Sequence, residues 1–237
     1  MPIVNRLAGF YGHASFLEIS TPTTGRQFFE ADPTLFTRME RLTYNLQGLQ
    51  DAHPVDYRSD TLGITECVAE IERRGVRYDI ILVDPYHDYA CSLRDLNFAW
   101  RILKDNGTIV VHDCLPPRGG DLISPTFVSE GWCGVTFIAY VDFLMKTSPC
   151  FVTVDCDYGC GVIRKGTNPD NSLDAYWHQW SSVRANPDEA LKFLSEHKKE
   201  VLHLQSPRAF KRAHPLAVGK HWSSWRHRFK VLAGAGR

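Results

Sequence analysis

The sequence predicts an α/β protein: a Rossmann-like, doubly wound sheet, mostly parallel, with an antiparallel terminal hairpin and a C-terminal helical extension. Three observations carry this. Asp79-Ile80-Ile81-Leu82-Val83 is a continuous apolar run rich in branched residues, as in a strand covered on both faces, and residues 108–111 form a second such run. Between them Leu93, Leu96, Ala99, Trp100 and Leu103 recur at helical spacing, giving a βαβ unit with parallel strands. Finally, apolar runs at 151–155 and 160–164 are joined only by Cys156-Asp157-Tyr158-Gly159, too short a link for a crossover, so that pair must be antiparallel.

The elements follow in order. Residues 15–19 (SFLEI) read as the first strand, the polar stretch Thr21-Pro22-Thr23-Thr24-Gly25 as a tight turn, and residues 26–31 as a short helix. Strand, turn and helix make the usual first unit of a cofactor-binding sheet, although the turn is neither a P-loop nor GxGxxG. Residues 38–44 suit a second strand. Its Glu40 lies about 20 residues past the first strand, where a ribose-binding acid commonly sits; a solvated glutamate between arginines is the alternative. A short third strand at 55–58 ends at Ser59-Asp60, and Ile64, Val68 and Ile71 give the next helix its buried face. The fourth strand stops at Asp84-Pro85, because proline cannot donate to a ladder. Asn106-Gly107 reads as the stop of the following helix, on which Asp88 marks the cap region and Asp95 a solvated face. His112-Asp113-Cys114 follows the fifth strand. Adjacent parallel strands therefore deliver Asp84, His87, His112 and Asp113 to one rim, the edge where open α/β sheets bind ligands.

Beyond Pro117, residues 118–131 form a long loop of the kind that serves as a lid or substrate loop, and residues 134–146 form a well-buried helix. Apolar spacing over 174–197, broken at Asn186-Pro187, predicts two packed helices. The end of the chain is basic, with Trp222, Trp225, Phe229 and Leu232 on one helical stripe. Such a stripe suits packing on its own domain, with an anionic membrane surface or a second subunit as alternatives. The expected division is an α/β domain over 1–166 and a helical extension over 167–237.

Composition bounds the rest. The chain has 237 residues, enough for one large domain, and Lys plus Arg equals Asp plus Glu at 27 each, so charge offers no nucleic-acid footprint. Seven cysteines without a CxxC pair or zinc-ribbon spacing fit a reduced, cytoplasmic chain. The N-terminus lacks the apolar core of a signal peptide, and no run reaches membrane-spanning length.

Four segments, FLEISTPTTG, YDIILVDPYHDY, ILKDNGTIVVHDCLPP and TVDCDYGCGVIRK, resemble the class I S-adenosylmethionine-dependent methyltransferases, in particular the bacterial macrocin and sugar O-methyltransferase type. The resemblance spans residues 14–166; Ser20 stands where these proteins usually carry glycine, and Asn106 replaces the first glycine of their PGG turn. It implies methylation of a hydroxyl on a small molecule, sugar or glycan, with S-adenosylmethionine as donor; a degenerate module that binds a glycan or protein is the alternative. By the same resemblance Glu18 and Ser20 face the sulfonium and amino side of the donor, Thr24 and Gly25 its amino-acid tail, Glu40 the ribose, Ser59 and Asp60 the adenine, with Asp84 completing the site. His87 is the expected base, its ordinary pKa near ~6.5 suiting proton uptake at neutral pH, and Asp113 its catalytic companion. Asp84, His112 and Asp113 also form a ligand set for Mg²⁺ or Mn²⁺. Trp132 and Cys133 either wall the acceptor pocket or anchor the long loop.

Overall fold

A computed structural model describes residues 3–24, 27–49, 54–129, 131–167 and 172–216. One eight-stranded sheet carries the fold, built from β1 (Ser15–Ser20), β2 (Arg38–Thr43), β3 (Tyr57–Arg58), β4 (Tyr78–Asp84), β5 (Leu103–Val111), β6 (Pro149–Val154), β7 (Cys160–Thr167) and β8 (Leu204–Gln205). The strand order is β3-β2-β1-β4-β5-β7-β6-β8. The first five strands run parallel, and β7 enters antiparallel between β5 and β6, as the short link between the last two runs requires. Because β6 therefore runs with β5, the β6–β7 turn reaches the same rim as the C-terminal ends of β1, β4 and β5.

Both faces of the sheet are covered. On one, Leu17, Ile19, Ile81, Val83, Ile109 and Val111 join a buried cluster with α3 (Thr65–Arg73), α4 (Tyr89–Ile102) and α5 (Thr136–Thr147). Trp180 of α6 (Trp177–Val183) and Phe193 and Leu194 of α7 (Pro187–Glu196) belong to that cluster, and Asn186 caps α7 through Asp188 N and Glu189 N. On the other face, Phe16, Ile80, Leu82 and Val110 pack against Val4, Leu7 and Ala8 of an N-terminal helix, α1 (Ile3–Tyr11), and against Phe210 of α8 (Pro207–Ala213). Sequence reading placed neither helix, although Val4, Leu7 and Ala8 recur at helical spacing in α1. Among the described residues no helix is long and apolar enough to cross a membrane. The tryptophan stripe of the basic tail falls in 217–237, outside the described residues.

The expected helix stop at Asn106-Gly107 is wrong. The helix α4 ends at Ile102, and Leu103, read as its last apolar position, is instead the buried first residue of β5. It pairs with Tyr78, whereas Ile80 pairs with Thr108, so residues 104–107 bulge out of the ladder. Glycine is needed at 107, where a Cβ would lie 2.7 Å from the Leu103 side chain and 3.0 Å from the Asp79 carbonyl. Asp95 is likewise no solvated residue: it is fully buried and accepts a 2.7 Å hydrogen bond from Tyr44 Oη, with Arg94 beside it.

One buried base at the sheet's other end gives a stability prediction. His13 is 7% exposed and contacts Thr108 Oγ1 at 3.2 Å. Burial lowers its pKa to about 4, against the pull of Asp79. A base held neutral in the fold charges more readily once unfolded, so stability is lost as the pH falls from about 6.5 towards 4. Denaturant midpoints between those pH values should drop in the wild type, and His13→Gln should remove about 2 kcal/mol of that drop.

Candidate active site

The end of β4 and the segment after β5 bring three buried side chains together. His87 Nε2 lies 3.3 Å from Asp84 Oδ1 and 3.2 Å from Asp113 Oδ2. All three residues are under 10% exposed. Asp84 closes β4, Asp113 sits two residues past β5 with a left-handed φ of 58°, and His87 lies on the turn between β4 and α4. That turn is held from several sides. Asp88 caps α4 by accepting from Cys91 N, and Tyr86 N donates to Tyr44 Oη at 2.6 Å. Val135 N donates to the His87 carbonyl at 2.8 Å, and His87 Nδ1 is 2.7 Å from the Trp132 carbonyl.

The last contact sets the chemistry of the imidazole. A carbonyl only accepts, so Nδ1 carries a proton, and in the neutral ring the lone pair sits on Nε2, facing both carboxylates. Burial alone would lower the His87 pKa, but the Asp84 hydrogen bond and the charges of Asp113 and Asp84 outweigh it, and the net shift is upward. The fold therefore favours the charged ring more than water does. Two carboxylate oxygens and an Nε2 lone pair, mutually within 4.8 Å and with Nδ1 tied to a backbone carbonyl, form a donor set that fits a divalent cation.

The set differs from the expected one. His87 lies in it with Asp84 and Asp113, while the expected His112 stands beside both carboxylates. The His112 Nδ1 is 3.1 Å from Asp113 Oδ1 and 3.7 Å from Asp84 Oδ1, while its Nε2 turns away to Asp157 at 3.0 Å. Burial opposes charging of His112, yet its contacts with Asp113 and Asp157 and the Asp84 charge raise its pKa to about 11.

The structure also gathers Glu18, Ser20 and Thr24 at this rim. The fully buried Glu18 accepts from Ser20 Oγ at 3.1 Å and Phe28 N at 2.8 Å, with Arg41 Nε at 3.7 Å. Burial and the Asp84 charge raise its pKa to about 8 against the opposing Arg41. Two buried carboxylates at neighbouring strand ends suit a ligand bearing a sulfonium and an ammonium. Thr24 Oγ1 donates to the Asp84 carbonyl at 2.8 Å, which closes the first turn onto β4. Gly25 lies outside the described residues.

Glu40 does not join the rim. It sits in mid-β2, where Tyr78 Oη donates to it and Arg74 pairs with it at 3.3 Å, beside Tyr57. Its spacing from β1 matched a ribose acid, but Tyr78 opens β4, so Glu40 faces the opposite end of the sheet and the expected role is withdrawn. Ser59 and Asp60 follow β3: Ser59 Oγ donates to the Gly63 carbonyl, Asp60 pairs with Arg58, and their backbone carbonyls take the Leu46 and Gln47 amides. Trp132 anchors the long loop, its Nε1 donating to the Ser124 carbonyl at 2.7 Å while its ring packs on Tyr86, His87 and Phe127. Sequence reasoning missed the Trp132 carbonyl, Gly134 and Asp157. Of these only Asp157 left a signal, since the predicted hairpin already sends its turn to this rim.

Comparison with known proteins bears on the same region. A family model described as a methyltransferase domain matches residues 35–114. No curated protein gives a significant match. Among solved structures, the chain is similar to MycE methyltransferase from the mycinamycin biosynthetic pathway in complex with Mg, SAH and mycinamycin VI, at 15% identity and TM-score 0.42, covering 68% of this chain and 47% of that one. It thus spans about half the length of MycE. It is also similar to the O-methyltransferase TomG of Streptomyces achromogenes (16%, TM-score 0.40, 70% and 77% covered) and to an O-methyltransferase of Bacillus cereus (15%, TM-score 0.42, 70% and 82% covered). At such identities and scores these likenesses carry no weight for substrate or residue roles. The stretch similar to a methyltransferase domain, 35–114, is the part of the chain that folds into β2 to β5 of the parallel sheet.

Proposed function

We propose that this protein transfers a methyl group from S-adenosylmethionine to a hydroxyl of a small molecule, a sugar or glycan-like acceptor, using a divalent cation held by Asp84, Asp113 and His87. The observation that carries this reading is the His87 imidazole, pinned at Nδ1 and presenting Nε2 between two buried carboxylates. When bound, the donor supplies a methyl group on a positively charged sulfur, open to in-line attack. A cation at the carboxylates would lower the pKa of a hydroxyl placed on it, as it does for water.

The chain's own residues do the rest. Asp84 and Asp113 supply hard oxygen ligands, and His87 favours Mn²⁺ or a similar ion alongside Mg²⁺. Trp132 and Val135 fix the His87 ring and backbone, so the set is organised before any acceptor arrives. Glu18, its pKa raised to about 8 by burial and Asp84, would ionise as the donor's cationic groups approach. Ser20 leaves the donor's place clear: its hydroxyl is fully buried and directed at Glu18.

The test is transfer of label from S-adenosylmethionine to a panel of sugars and hydroxylated metabolites, with and without chelator. Transfer should require a divalent cation, fall at least about 100-fold in chelator and return with Mg²⁺ or Mn²⁺. Transfer undiminished by chelator would remove the cation from the reading, and absence of transfer to any acceptor class would count against the hydroxyl specificity.

A further inference from the structure

The β6–β7 turn carries a second group of ligand atoms that the methyl-transfer reading does not use. His112 Nε2, a carboxylate oxygen of Asp157 and the sulfur of Cys160 lie within 4.8 Å of one another. The three come from two parts of the chain: His112 from the end of β5, and Asp157 and Cys160 from the turn and first residue of β7. Their approach is built into the backbone. Cys114 N and Leu115 N donate to the Gly159 and Tyr158 carbonyls, and Asp157, Tyr158 and Gly159 all adopt left-handed φ values. A Cβ at Gly159 would lie 2.6 Å from Leu115 N, so glycine is required for the turn to press this closely. Cys156 opens the same turn as a half-buried free thiol, hydrogen-bonded to Cys160.

We infer that His112, Asp157 and Cys160 form a second metal site, selective for a thiophilic divalent cation such as Zn²⁺. A sulfur, an imidazole and one carboxylate suit Zn²⁺ and are a poor match for Mg²⁺, whereas the Asp84, Asp113 and His87 set is rich in hard oxygen. The neighbouring sites are thus sorted by ligand softness. The outer shell agrees: Asp113 Oδ1 is buried, makes no hydrogen bond among the described residues, and lies 3.1 Å from His112 Nδ1. That is the position of the carboxylate partner behind a metal-bound histidine. Asp113 then serves both ions, by Oδ2 towards the first site and by Oδ1 behind His112. A cation on these three ligands clamps the terminal hairpin to the segment that carries Asp113. Binding transfers the Cys160 thiol proton and a His112 ring proton to solvent while the metal takes their places.

The full chain, chelator-treated and kept reduced, is titrated with Co²⁺ and followed by absorption. A near-ultraviolet thiolate-to-cobalt band with tetrahedral visible bands should appear, be displaced by Zn²⁺ and survive millimolar Mg²⁺. Cys160→Ser should abolish the thiolate band, and Asp157→Asn, at a largely exposed side chain, should weaken Co²⁺ affinity at least about tenfold in a protein whose circular dichroism is unchanged. Asp84→Asn should leave the band in place, which separates this site from the methyl-transfer reading. A wild type without a thiolate band, a band retained in folded Cys160→Ser, or Asp157→Asn with wild-type affinity would each overturn the assignment.

Discussion

Replacing Asp84 by Asn is expected to lower methyl transfer by about 10²–10³-fold while the protein stays folded. The carboxylate does two things that the amide cannot. It would supply a charged oxygen to a bound cation, and it holds one side of His87 Nε2. The backbone carbonyl that receives Thr24 Oγ1 is untouched, so the first turn and donor binding should persist. Loss of turnover should therefore appear in kcat, with donor affinity changed far less. The same variant tests the electrostatics of the metal-free protein. The His87 pKa is raised in the fold, so its ion pairs stabilise fully below about pH 6.5, and that contribution is lost as the pH rises through the folded pKa. Asp84→Asn should thus cost about 2–3 kcal/mol at pH 6 in chelator and less at higher pH. Wild-type turnover in folded Asp84→Asn would remove the residue from the chemistry.

The second large effect lies in a glycine remote from the sequence motifs. Gly134 has φ +56°, and a Cβ there would fall 2.0 Å from the His87 carbonyl oxygen and 2.7 Å from its Cβ. Gly134→Ala must either unwind the entry to α5 or push His87 off the two carboxylates. It should cost at least about 3 kcal/mol, a fall of roughly 10 °C in Tm, and activity should drop even below the new Tm. The neighbouring Trp132 carbonyl and Val135 amide are the partners that His87 would lose. Unchanged Tm and turnover would mean that the turn has slack which its contacts do not suggest.

The fold was legible because its decisive signals are local. Unbroken apolar runs mark β4 and β5, helical spacing marks α4, and a short link forces β6 and β7 into a hairpin. Leu103 misled because an apolar residue at helical spacing can also open a buried strand, and only its pairing with Tyr78 decides. Asp84, His87 and Asp113 were legible as strand-end residues, since parallel strands deliver their ends to one rim. Their partition was not: whether His87 or His112 turns inward depends on the Trp132 carbonyl and on Asp157, both distant in sequence. Glu40 shows the limit of spacing, because a count from β1 cannot tell which end of the sheet a mid-strand glutamate faces. Asp95 shows the same for helices, where a charged residue reads as solvated until Tyr44 arrives from another strand.

Calorimetric titration with S-adenosylmethionine, run with Mg²⁺ or Mn²⁺ present, tests most directly whether this rim is a methyl-donor site. The geometry of Glu18, Asp84, His87 and Asp113 predicts saturable single-site binding, weakened at least about tenfold by Glu18→Ala, which removes the negative charge facing the donor's cationic groups. A flat titration of folded protein at millimolar donor, with and without the cation, would contradict it.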